Sequence, residues 1–185
     1  MPGGGLLNYV ALLRAINVGG HVVKMDRLKN LFESLGLKSV ATFIASGNVY
    51  FESSVKDAAA LERRIEGRLR EALGYPVATF VRSTAELAGI ARYRPFKSGR
   101  LEADGVTLFI GFLHAAPAKA VRGKVTALST EGDAFHLRQR ELYWLRHGGF
   151  SDSPFSGAVL EKALGVATTL RNASTVRKLA AKYPP

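Results

Sequence analysis

The stretch SVATFIASGNVYFES, residues 39–53, decides the fold. Residues 39–45 and 48–53 are two runs rich in β-branched and aromatic residues, which favour strands. The short link S-G-N (46–48), whose Asn48 opens the second run, joins them, so they are predicted to pair as a hairpin. Upstream, NYVALLRA (8–15) is a short apolar run without helical period and reads as a strand. Between it and the hairpin, MDRLKNLFESLG carries Leu28, Leu31, Phe32 and Leu35 at helical spacing, with Gly36 as its stop. Downstream, Asp57 caps a helix whose apolar face is Leu61, Ile65, Leu69 and Leu73 and which Gly74 ends. PVATFVRS (76–83) is a further strand, and TAELAGIARY a short helix after it. The order is βαββαβ, the split βαβ unit of ferredoxin-like folds.

The same order returns after RPFKSGRLEADG (94–105), a polar segment punctuated by Pro and Gly. VTLFIGFLHA (106–115) reads as a strand and PAKAVRGKVTAL (117–128) as a helix. DAFHLRQ and ELYWLRH read as a hairpin, SGAVLEKALG (156–165) as a helix, VATTLRN (166–172) as a strand and STVRKLAAKY as a closing helix. The letters repeat as well. Val77-Ala78-Thr79 matches Val166-Ala167-Thr168, and Arg82 matches Arg171; one inserted residue later, Tyr93 matches Tyr183 and Pro95 matches Pro185. The expectation is an α+β protein of two ferredoxin-like βαββαβ subdomains from an internal duplication, at 1–93 and 106–185, with 94–105 as linker. Residues 8–15 and 106–113 are apolar on both alternate faces, so the second face of each sheet is expected to be covered too.

Composition bounds the function. The chain of 185 residues is 47% hydrophobic and 22% charged, enough for a real core. It has no cysteine, which excludes disulfides, zinc–thiolate sites and cysteine nucleophiles. No apolar run reaches the roughly 18–20 residues of a membrane span, and MPGGGLLN lacks the features of a signal peptide. A cytoplasmic protein without membrane association is expected. Its net charge of +11 favours phosphate-bearing or nucleic-acid partners.

Topology points to a site. In a βαββαβ sheet the end of the first strand, the end of the second and the start of the third share one edge. That edge gathers Arg14, Asn17, Gly19 and Gly20 with Ser46, Gly47 and Asn48, flanked by His21 and Lys24. Glycines let backbone N–H groups approach an anion, and the following helix N-terminus adds positive potential. The plain structural alternative is a β-to-α connection and a hairpin turn. The stretch is neither a P-loop nor a dinucleotide fingerprint. A second candidate is RNASTVRKL (171–179), where Asn172 or Ser174 caps the last helix and Arg171, Thr175 and Lys178 stand close in sequence. The four histidines show no ligand spacing, so no metal is expected, and HGGFSDSPFSG (147–157) contains no nucleophile elbow. Trp144 reads as a packed residue.

These segments resemble the bacterial family named domain of unknown function 1697. That family typically opens with L-R-G-I-N-V-G-G, continues with Y-I-x-S-G-N-V-x-F and closes with R-N-W-x-T-V-x-K-L. The matching positions are Arg14, Ile16 to Gly20, Ser46 to Val49, Phe51, Arg171, Asn172, Thr175, Val176, Lys178 and Leu179. The resemblance implies a two-subdomain α+β fold and no particular activity or cofactor. Two positions depart from the pattern: Ala15 replaces a Gly and Ala173 replaces a Trp. Three functional readings follow: a binder of a phosphate- or carboxylate-bearing ligand at the Gly-rich edge, a nucleic-acid-binding protein driven by charge, and an enzyme acting on a phosphorylated small molecule. No carboxylate in the motifs supplies a base for the last.

Overall fold

In the computed structural model, residues 5–17, 19–44, 47–148 and 153–185 are described. The decisive stretch is indeed a hairpin: β2 (Lys38–Phe43) pairs antiparallel with β3 (Asn48–Ser53). Around it lie β1 (Leu7–Leu13), α1 (Met25–Glu33), α2 (Ala58–Leu73), β4 (Thr79–Ser83) and α3 (Thr84–Arg92). The second series is α4 (Ser98–Leu101), β5 (Val106–Phe112), α5 (Lys119–Thr126), β6 (Asp133–Arg138), β7 (Glu141–His147), α6 (Gly157–Leu164), β8 (Thr169–Asn172) and α7 (Ala173–Lys182). The two four-stranded antiparallel sheets have orders β2-β3-β1-β4 and β6-β7-β5-β8. They are the same order twice, so the protein is α+β with two ferredoxin-like subdomains.

The local signals explain the elements. Asp57 accepts the Ala59 N–H at 2.9 Å at the start of α2, and Gly74 ends that helix at φ 81°. Ser156 and Gly165 play the same parts for α6. Alternation along β1 sends Tyr9, Ala11 and Leu13 to one face, where they pack with Leu28 and Phe32 of α1 and Leu61, Ile65 and Leu69 of α2. Val10 and Leu12, on the opposite face, are also wholly buried. In the second sheet, Leu142, Trp144 and Phe135 pack with Val125 of α5 and with Leu160 and Leu164 of α6.

The compact units fall at different boundaries from those the sequence suggested. The first is Met1–Ala88 together with Leu179–Pro185, and the second is Gly89–Lys178. The segment 94–105 therefore belongs to the second unit and contains the short α4. The reason is aromatic. Tyr183 stacks on Tyr50 with ring centroids 4.3 Å apart and planes within 5°, while Lys182 sits 5.3 Å from the Phe43 ring. Tyr93 joins the second unit in the matching way, 5.2 Å from the Tyr143 ring and with its hydroxyl 2.9 Å from His136 Nε2. Tyr50 stands opposite Val10, and Tyr143 opposite Ile110, so the two tyrosine pairs occupy equivalent registers. Arg82 and Arg171 are equivalent too, opposite Val10 and Ile110.

Sheet edges are closed by side chains. The Leu13 N–H bonds to the Gly47 carbonyl, so odd positions of β1 face β3 and even positions face β4. The N–H groups of Thr79, Val81 and Ser83 consequently point away from the sheet. Glu66, Glu62 and Glu86 accept them, each at 2.8 Å. The buried Arg82 lies 3.9 Å from Glu62 and donates to the Val81 carbonyl. Such closure stops an edge from pairing with another chain.

Candidate functional site

The two segments expected to meet at the first sheet's edge do meet. Beyond the Leu13–Gly47 bond, a Cβ on Gly47 would lie 2.7 Å from Ile16 Cγ2. Yet several of the expected ligand groups serve the fold itself. Asn17 Oδ1 accepts the Val23 N–H at 2.7 Å and ties the loop together. Asn48 is fully buried, and its amide donates to the Phe43 carbonyl across the hairpin. Gly47 is buried as well, at φ 77°. Ser46 lies outside the described residues. What faces solvent is Arg14, Gly19, Gly20, His21 and Lys24. Both glycines are left-handed, at φ 65° and 85°, and a Cβ on either would meet nothing within 4 Å. His21 stacks on Tyr75 at 3.8 Å. Ala15, in place of the expected Gly, still adopts φ 54°, a conformation that disfavours any side chain.

The second candidate divides in a similar way. Arg171 is buried, donating to the Thr169 hydroxyl at 2.8 Å and to the Leu170 carbonyl at 3.0 Å. Burial pushes its guanidinium down to about 10. Asn172 Oδ1 accepts both the backbone N–H and the hydroxyl of Ser174, capping α7. Thr175 is half-buried and Lys178 exposed.

Beside that cap lies a cleft of about 310 Å³, wholly within the second unit. Asn172, Ala173 and Ser174 line one side; Thr107 contributes from β5. Neither Thr175 nor Lys178 is among its lining residues. Its charged residues are Arg94, Glu102 and Arg177. Arg94 and Glu102 form an ion pair at 2.8 Å. Arg177 makes no hydrogen bond or ion pair among the described residues. Sequence reasoning missed all three. Arg94 and Glu102 sit in a segment that reads as a linker, and Arg177 looks like one more cation on a basic helix. Only the fold brings them into one hollow.

Fold and cleft together define the class: an α+β protein of two ferredoxin-like units, the second carrying an open, arginine-lined cleft. The chain belongs to the family described as protein of unknown function (DUF1697), whose model matches residues 6–143. Asn172, Ala173 and Arg177 lie beyond the matched span. Among solved structures the chain is similar to the conserved bacterial protein SP0830 from Streptococcus pneumoniae. The TM-score is 0.76 at 22% identity, over 96% of this chain and 98% of that one. That likeness concerns the fold. No curated protein matches the chain. Among the described residues, no helix is long and apolar enough to cross a membrane.

Proposed function

We propose that the protein binds a small ligand bearing a phosphate or carboxylate group, and that the cleft beside α7 receives that group. The observation that carries the reading is two guanidiniums lining one hollow of about 310 Å³, one of them without a partner among the described residues. The volume falls at the small end of ligand pockets, which run from about 300 to 1,000 Å³. Around the charges stand Thr107, Ser174 and Asn172 as polar contacts, with Leu101, Val106 and Leu108 as apolar walls. Arginine suits this task because its planar fork matches the oxygens of phosphate and carboxylate.

Thermal shift with phenyl phosphate tests it. The ligand is expected to raise the melting temperature of the wild type, and Arg177→Ala to remove most of that rise. An equal rise in Arg177→Ala rules the cleft out.

One observation favours a second reading, in which the glycine-rich edge and not the cleft receives the anion. Gly19 and Gly20 present left-handed, unobstructed backbone between exposed Arg14 and Lys24. Under that reading the same experiment gives the reverse pattern: Arg14→Ala abolishes the shift and Arg177→Ala keeps it.

A further inference from the structure

The two arginines of the cleft are not in the same state. Arg177 has no partner among the described residues, whereas Arg94 is held by Glu102 at 2.8 Å. Both members of that pair line the cleft, and both are more than half exposed, at 57% and 66%. The pair closes the segment that carries α4, whose four residues run from Ser98 to Leu101. A carboxylate on Arg94 takes up a guanidinium that the anionic group of a ligand in the cleft could otherwise use.

We infer that Glu102 is a resident anion that a phosphate group displaces from Arg94 when it enters the cleft. The inference rests on the cleft reading above and adds to it the chemical class of the ligand and a built-in competitor. A phosphate monoester carries close to two negative charges above its second pKa of about 6, which matches two guanidiniums once Glu102 has turned to solvent. A carboxylate carries one and is satisfied by Arg177 alone. Displacement is inexpensive because exposed ion pairs are weak, so the pair tunes affinity without blocking it. No covalent step is involved. The change is an exchange of one ion pair for another.

Isothermal titration of phenyl phosphate and benzoate at pH 8 tests this on the wild type, Glu102→Gln, Arg94→Ala, the double variant and Arg177→Ala. Glu102→Gln is expected to tighten phenyl phosphate by up to about fivefold, the limit set by an exposed ion pair. Benzoate is expected to gain much less. In the Arg94→Ala background, Glu102→Gln is expected to change nothing, because Glu102 then has no guanidinium to release. If the gain persists in that background, Glu102 acts as a plain repelling charge and the inference is wrong. If phenyl phosphate binding depends on Arg177 but Glu102→Gln leaves it unchanged, the cleft reading stands and the displacement does not. If the wild type binds neither ligand, or Arg177→Ala binds both as well as the wild type, both fall together.

Discussion

The two units share one topology, but the β4 edge of the first and the β6 edge of the second, which stand at opposite ends of that strand order, are closed with different chemistry. In the first, carboxylates from helices accept the outward N–H groups of β4. In the second, β6 is closed by its preceding turn: Thr130 Oγ1 accepts the Asp133 N–H at 3.1 Å and Ser129 Oγ the Phe135 N–H at 3.2 Å, while Arg122 donates to the Leu137 carbonyl at 2.8 Å. Helix length separates the helix-borne closures. α2 has 16 residues and α6 has 8. Glu62 and Glu66 are four residues apart, about 6 Å along a helix, and the N–H groups they meet are two residues apart, about 6.8 Å along a strand. α2 can therefore run beside β4 and match it twice. From the shorter α6, Glu161 accepts the Thr168 N–H at 2.8 Å, just before β8. Topology follows from hydrophobic pattern, whereas edge closure follows from which helix is long enough to lie alongside.

The sharpest test of this contrast removes one acceptor from each side. Glu62→Ala leaves Arg82 buried without that carboxylate and strips the Val81 N–H of its acceptor, so a loss of about 3–5 kcal/mol is expected. Thr130→Ala removes a neutral hydroxyl at a turn and is expected to cost about 1 kcal/mol. Urea denaturation of both variants measures the difference. Equal losses would mean that the charged closure is no more demanding than the neutral one.

Glu62 also shows what the sequence conceals. Its place on a helix is legible, but a glutamate followed by two arginines reads as part of a solvated face. Its burial depends on a strand some twenty residues later. Strand and helix positions, the hairpins and the repeated element order were legible because each rests on local periodicity or on matching letters. So was the convergence of the glycine-rich loop with the hairpin turn, because sheet topology alone imposes it. The direction of an amide was not. Asn17 and Asn48 stand where a ligand would suit them, yet both hold backbone, and spacing does not reveal that choice. The unit boundary was missed because stacking between Tyr50 and Tyr183 links residues at opposite ends of the chain.

The hairpins offer the second test. Each needs a left-handed residue near its turn. The first has Gly47 at φ 77°, the second Gln139 at φ 51°. A methyl group on Gly47 would meet Ile16 Cγ2 at 2.7 Å and Leu13 Cβ at 3.0 Å, in addition to the unfavourable φ. Gly47→Ala is therefore expected to cost about 2–4 kcal/mol, from overpacking together with backbone strain. Gln139→Gly is expected to act in the opposite sense, with a gain of up to about 1 kcal/mol as strain is relieved. Thermal denaturation of the two variants reads both signs. A mild Gly47→Ala would show that the loop holding Ile16 yields easily, and that the first hairpin is no more tightly determined than the second.

The smallest effect separates the units by pH. His136 stands opposite Tyr143 in the second sheet, and the equivalent place in the first, opposite Tyr50, is Ala41. Burial holds the imidazole below its ordinary pKa of 6.5, and Arg122 and Arg138 depress it further. The ring is therefore neutral at pH 7.5, where its Nε2 shares a hydrogen bond with the Tyr93 hydroxyl. Between the depressed folded value and 6.5 the unfolded chain binds more protons than the folded one. Stability must then fall as pH drops below 6.5 and recover as it rises. His136→Gln keeps an amide that can accept from Tyr93 but does not titrate. Urea midpoints at pH 7.5 and 5.5 are expected to fall further apart in the wild type than in His136→Gln. The difference between proteins, not the absolute drop, isolates this ring from the other histidines. If both lose equally, the neutral imidazole contributes nothing to holding Tyr93 on the second sheet, and the two tyrosine contacts are alike in their response to acid.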